Sequence, residues 1–307
     1  MTKNYRGHKS LTGGGWQEIL MLLPMFTGFL IFTIYPILWV IRWAWFDYGG
    51  YGKPFFVGVD NFIRAFTRDT NFWSAMLNTV YLAVVKLILE MPLSIVLAFF
   101  VNKRVKGSSV LRIIYFLPTI FSIAVIGMVF SILFSAYNGI INAVLVHLHI
   151  VPANINWFGS RWLAMTVILM VSLWSTFGLN MVYFLMGLQN IPNELYECSM
   201  LDGASGPRQF FSITLPLLAP VMQIVFMLSV LGTMRLADLV LVMTNGQPGG
   251  STEVIMTYIF KFFFQYGEAG TRNQYGYGSA LSVVTALILA VITVVYLKQS
   301  KKMKEIY

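Results

Sequence analysis

Residues Gln189 to Pro220 read QNIPNELYECSMLDGASGPRQFFSITLPLLAP, a polar island between two long apolar runs. Asn193 suits a helix N-cap, and Glu194 and Glu197 complement the dipole of the first turn. Gly203 fits the left-handed residue that ends such a helix. Ser205 then caps a second helix, with Pro207 tolerated in its first turn. Pro216 and Pro220 lead into the next apolar run. The stretch predicts two short helices joined at a glycine hinge, lying on a membrane face.

The rest of the chain supplies the membrane. Hydrophobic residues make up 57% of the 307 and charged residues 11%, with a mean hydropathy of +0.72. Soluble domains carry about 25% charged residues, so ordinary globular, disordered and fibrous classes are excluded. A spanning helix needs about 20 mostly apolar residues. Six runs qualify: Ile19–Ile41, Asn78–Val101, Leu111–Ser135, Trp162–Gly187, Leu217–Thr244 and Gly276–Leu297. None alternates like a barrel strand. The expected fold class is an all-α polytopic membrane protein with six transmembrane helices. The first run follows Lys3, Arg6 and Lys9, but it is too long for a signal peptide and lacks a cleavage site, so it reads as a retained helix. A single cysteine, Cys198, excludes a disulfide within the chain.

Charge placement sets the orientation. Lys and Arg concentrate in the N-terminal tail, the 2–3 loop (Lys103, Arg104, Lys106, Arg112), the 4–5 loop (Arg208) and the C-terminus (Lys298, Lys301, Lys302, Lys304), twelve in all; seven lie on the opposite side. Cytoplasmic loops carry that excess, so both termini are expected inside, and the net charge of +9 points to membrane topology rather than nucleic acid. The expected organisation is an N-terminal tail (1–18), a first transmembrane helix (19–46), an outer loop with a short interfacial helix (47–77), a five-helix core (78–297) containing the cytoplasmic loop (189–216), and a C-terminal tail (298–307).

Within the 4–5 loop, Glu197, Gly203, Ile213, Leu215 and Pro216 stand at fixed offsets around Asp202-Gly203-Ala204. This pattern resembles the Glu-Ala-Ala loop of ABC-importer permeases. Leu201 to Ser205 and Phe210 to Pro220 are similar to the carbohydrate-uptake branch. So are Val57 to Phe62, Asn78-Thr79, Phe116-Leu117-Pro118, Met243 to Thr252, Tyr258 to Lys261 and Tyr277 to Ala280, a coverage of about residues 19–300. Cys198-Ser199 departs from the usual Ala-Ala, and Gly206-Pro207 stands where a bulky residue is frequent.

The resemblance implies a type I importer fold and an importer subunit for a carbohydrate, specifically an oligosaccharide. It implies a second, usually non-identical permease subunit, two cytoplasmic ATPase subunits and an extracellular or periplasmic solute-binding protein, all around a chain embedded in membrane lipid. The loop would be a coupling helix seated in an ATPase cleft, with Glu197, Asp202, Gly203, Ala204, Ile213, Leu215 and Pro216 as the coupling residues. Closure of the ATPase pair would switch the permease between inward- and outward-facing states.

The chain shows no catalytic constellation. Gly13-Gly14-Gly15 lacks the Lys-Ser/Thr of a phosphate loop, so no cofactor is expected on this chain, and ATP and Mg²⁺ belong to the partner ATPase. His147 and His149 have no Cys or carboxylate nearby to complete a metal site. Ionisable residues inside spans invite a functional reading, yet Lys86 and Glu90, four apart, also suit mutual neutralisation. Arg235 and Asp238 pose the same choice nearer the expected path. Sugars need polar groups for hydroxyls and aromatic faces for rings. Trp174, Asn180, Tyr183, Gln223 and Thr233 offer these, although packing explains a membrane aromatic equally well. The competing class is an ion-coupled secondary transporter, whose repeats and broken helices around a midplane site are not visible in the sequence.

Overall fold

The computed structural model describes residues 15–102, 107–234, 236–264 and 273–304. Lipid offers no hydrogen bonds, so a spanning backbone must pair with itself. The regular elements of the described chain are accordingly helices apart from one two-residue ribbon, β1 (Phe46–Asp47) against β2 (Phe55–Phe56). Four helices are long and apolar enough to cross a membrane: Ile19–Trp43, Thr70–Asn102, Arg161–Gln189 and Tyr275–Lys298. Two bent pairs complete the six.

The first span consists of α1 (Gly15–Phe29), a π turn (Leu30–Ile34) and α2 (Tyr35–Trp43). Pro36 has no N–H to donate one turn back, and the π turn absorbs the gap just before it. The outer ribbon and α3 (Asp60–Thr67) follow. The second span, α4 (Thr70–Asn102), starts at Thr70 rather than Asn78 because Asp69 caps it: its carboxylate accepts the Phe72 N–H at 2.9 Å.

The third span differs from the single helix expected over Leu111–Ser135. α5 (Ser108–Phe116) tightens into a 3-10 turn (Leu117–Ile120) at Pro118, and Phe121 and Ser122 are extended before α6 (Ile123–Leu133). The two halves are bent by 96°. The Thr119 hydroxyl donates to the Ser175 carbonyl at 3.2 Å, fastening the bend to the fourth span. The outer 3–4 connection carries α7 (Ile140–His147).

The fourth span, α8 (Arg161–Gln189), packs along α4 as the spine of the subunit. Small residues set the approach. Ser94 donates to the Phe177 carbonyl, and a Cβ at Gly178 would sit on the Tyr115 carbonyl, 2.6 Å from its carbon. Such close backbone contacts are what holds helices together in lipid, where apolar burial alone discriminates little. Around them lie Leu82, Ile168, Val171, Met181 and Phe184, all fully buried.

The inner loop contains α9 (Asn193–Leu201), α10 (Gly206–Gln209), a π turn (Phe210–Thr214) and α11 (Leu215–Leu217). It bends by 67° into the fifth span. That span is also interrupted: α12 (Ala219–Met234) and α13 (Ala237–Met243) replace the continuous helix expected over Leu217–Thr244. α14 (Ile255–Phe263) lies in the outer 5–6 connection and α15 (Tyr275–Lys304) is the last span.

The outer connections gather at one end and bind one another through buried amides. Asn61 donates to the Ala44 and Phe46 carbonyls at 3.0 and 3.1 Å. Asn78 donates to the Ser251 and Glu253 carbonyls at 2.9 and 2.8 Å and accepts from Arg161 at 2.7 Å. Thr79 accepts the Ile255 N–H at 2.9 Å. Asp69 accepts from the Tyr258 and Tyr277 hydroxyls. Burial, then the bond to Asp69, holds the Tyr258 phenol above its ordinary range, so it stays a donor. Asn78→Ala would leave buried carbonyls and a guanidinium unpaired, at about 1–3 kcal/mol per group. Amide hydrogen exchange over residues 251–257 is expected to accelerate at least tenfold while exchange in α8 holds.

The first span stands apart. None of its most apolar window is buried within the subunit. Among the described residues its outer end is gripped, where Trp39 meets Tyr275 edge-on at 6.4 Å and, just beyond the span, the Gly276 N–H donates to the Tyr48 carbonyl at 3.0 Å.

Candidate functional site

The inner loop is built as a clasp. α9 starts one residue earlier than the sequence reading placed it. Pro192, extended at φ −61° and ψ 134°, holds the capping position, and Asn193 is the first helical residue. Proline's fixed φ sets the turn before Asn193 can. At the other end Gly203 takes φ +77°. The Gly203 and Ala204 N–H groups donate to the Met200 and Ser199 carbonyls at 3.0 and 2.9 Å, the paired closure of a Schellman end. Ser205 stands extended at the capping position of α10 but its side chain makes no capping bond, and Pro207 occupies the first turn, as the spacing predicts.

Three side-chain bonds tie the two arms together. Tyr196 and Thr214 share a hydroxyl contact at 2.9 Å. Gln209 donates to Ser199 Oγ at 2.9 Å and to the Tyr196 carbonyl at 3.4 Å. At about 1 kcal/mol net each, they hold the arms at a set angle. Glu197, Asp202 and Gly203 are exposed, whereas Ala204, Ile213, Leu215 and Pro216 are half-buried. The tip is apolar: Leu201 is 90% exposed and Met200 58%. A cavity of about 470 Å³ opens behind it between Tyr196, Phe210 and Phe99.

Inside the spans, Lys86 and Glu90 lie 4.0 Å apart with 2% and 0% of their side chains exposed. Thr176 of α8 donates to Glu90, so the pair also joins α4 to α8. Of the residues expected along a path, Asn180 donates to Ser229 Oγ at 3.1 Å, and Thr233 donates to the Ser229 carbonyl at 2.8 Å. These two are brought together at the contact of α8 with α12. The Gln223 carbonyl accepts from the Tyr296 hydroxyl at 2.6 Å. Trp174 is half-exposed and tilts against Phe130 at 5.3 Å. Tyr183 packs beside Met181 and Phe184, and Asp238 is exposed in the first turn of α13. Arg235, and with it the expected Arg235–Asp238 pair, lies outside the described residues.

Binding-protein-dependent transport system inner membrane components match residues 90–305 of the chain as a family. The chain belongs to that family. The trehalose/maltose transport system permease protein MalF of Thermococcus litoralis is 33% identical over 282 residues, spanning 91% of this chain and 92% of that protein. The arabinooligosaccharides transport system permease protein AraP of Bacillus subtilis is 30% identical over 302 residues, with 94% and 93% covered. The lactose transport system permease protein LacF of Rhizobium radiobacter is 30% identical, with 91% of each chain covered. The crystal structure of a bacterial ABC transporter involved in the import of the acidic polysaccharide alginate shares the fold, with a TM-score of 0.81, 23% identity, and 94% and 96% of the two chains covered.

As an inner membrane component of an ABC importer, the permease performs no bond chemistry, and ATP is hydrolysed by a separate subunit. This membership sets aside the ion-coupled secondary transporter. Several bonds of the permease left no trace in local sequence. Ser199–Gln209, Tyr196–Thr214, Asn180–Ser229 and Thr176–Glu90 join residues 10 to 86 apart, beyond any helical period. Ser199 itself was visible as a departure from Ala-Ala; its hydroxyl is what Gln209 bonds.

Proposed function

We propose that this permease moves a carbohydrate, specifically an oligosaccharide, across the membrane by alternating access. It would work with a second, non-identical permease subunit, two cytoplasmic ATPase subunits and an extracytoplasmic solute-binding protein. ATP and Mg²⁺ would be held by the ATPase subunits, and no cofactor by this chain. The observation that carries the reading is the clasped inner loop, whose closed Schellman end and cross-links make a stiff lever with an exposed tip; coupling needs an element with discrete arrangements rather than a soft tether. Glu197, Asp202, Gly203, Ala204, Ile213, Leu215 and Pro216 are assigned to coupling, with Glu197 suited to a charge-assisted bond to a basic partner group. Trp174, Asn180, Tyr183, Gln223, Thr233, Arg235 and Asp238 are assigned to the path. The saccharides named for the relatives MalF, AraP and LacF support the substrate class.

Reconstituted complexes are expected to take up labelled oligosaccharide only with ATP and a loaded binding protein, and an imposed ion gradient is expected to have no effect. Uptake driven by the gradient alone would remove the proposal. Asn180→Leu is expected to lower uptake affinity or rate about tenfold, because Ser229 loses its partner and the path loses an amide. Unchanged kinetics would take Asn180 off the path.

A further inference from the structure

The outer face carries a cavity of about 650 Å³ between the β ribbon, α3 and the start of α15. That volume lies within the range of small-molecule sites, roughly 300–1,000 Å³. Its back wall is fixed. Asn61 is bonded to the Ala44 and Phe46 carbonyls, and Arg64 lies 3.8 Å over the Tyr277 ring while donating to Gln274 at 2.8 Å.

The remaining lining is chemically unfilled. Among the described residues, the Asp47 and Asp60 carboxylates take part in no ion pair. Asn273 Oδ1, on the same wall, is buried and receives no hydrogen bond. Lys53 and Arg68 join Arg64 on the lining, three cations beside the two carboxylates. Tyr51 and Phe55 hold their rings out at 85% and 70% exposure. Open acceptors, cationic donors and free aromatic faces match a polyhydroxylated ring, which donates and accepts through its hydroxyls and stacks through its C–H face.

We infer that this cavity is a saccharide-binding vestibule on the extracytoplasmic face, separate from the path within the spans. The inference rests on the carbohydrate reading above. The bound unit would be a short saccharide, held by Asp47, Asp60 and Asn273 as acceptors against Tyr51 and Phe55.

The test uses the complete transporter in nanodiscs without binding protein, titrated with maltotriose, lactose and trehalose, and read by saturation-transfer difference NMR. Transfer to at least one sugar is expected, with Tyr51→Ala and Asp60→Asn each weakening apparent affinity about tenfold or more. Both side chains are exposed, so the fold should persist, and an unchanged thermal transition checks this. Absence of transfer from all three sugars overturns the vestibule, as does transfer unaltered in both variants. Transfer abolished equally by Asn180→Leu assigns binding to the path instead. Variants that weaken only docking of the binding protein make the cavity a protein contact and also overturn it. ATP-driven uptake of a saccharide with no vestibule signal refutes this inference alone; failure of all saccharide uptake refutes the carbohydrate reading.

Discussion

Proteoliposomes carrying Gly203→Pro are expected to lose saccharide uptake by at least about tenfold while the protein still inserts and assembles. Gly203 sits at φ +77° and donates its N–H to Met200. Proline is locked near φ −65° and has no N–H, a change of about 3 kcal/mol or more, equivalent to roughly a hundredfold loss of the clasped loop. ATP hydrolysis should then stop responding to the loaded binding protein. Gly203→Ala is the graded control. No atom lies within 4 Å of its Cβ, so only the left-handed strain of about 1–2 kcal/mol remains, and uptake should fall severalfold. Glu197→Lys should uncouple in the same way without unfolding, because the exposed side chain makes no bond within the subunit among the described residues. Full uptake in both Gly203→Pro and Glu197→Lys would refute the coupling assignment.

The second large effect concerns stability. Gly178→Ala places a methyl on the Tyr115 carbonyl, and a backbone group flanked by the bend at Pro118 cannot step aside. Overpacking against fixed atoms costs about 3 kcal/mol at the upper end, which by the scaling for chains of 150–250 residues lowers the melting temperature by about 6–12 °C. Gly28 has nothing within 4 Å of a Cβ, so Gly28→Ala should leave the detergent-purified subunit as stable or slightly more so. Equal melting of the two variants would mean α5 and α8 are not in the contact described.

Both effects turn on glycines, and only one was readable in advance. Gly203 follows a polar helix with acidic residues at its start, and that order of residues encodes a left-handed end. Gly178 lies in an apolar run where nothing local distinguishes it, since its reason is a carbonyl 63 positions earlier. The six spans were legible for the same reason that their interruptions were not. Hydropathy registers how apolar a run is, and Leu111–Ser135 is apolar on both sides of the 96° bend. Pro118 was the one local sign of it. The start of α4 was readable as well: Asp69 before Thr70 is a cap signal, masked because the apolar run begins only at Asn78. The motif fragments proved to be fastening points, since Asn61, Asn78 and Thr79 each bind backbone of a distant connection. At the site, the left-handed end at Gly203 followed from local rules, whereas the cap of α9 passed to Pro192 and the Asn180–Ser229 contact needed the packed fold.

The grip of Trp39 and Tyr48 on Tyr275 and Gly276 has a consequence for biogenesis. Among the described residues, the first span finds a helix to lean on in α15, more than 220 residues later. Until then it must wait in the bilayer undocked, or in the care of another protein. A nascent chain stopped before Tyr275 should therefore hold the first span only at its outer foot, through Asn61.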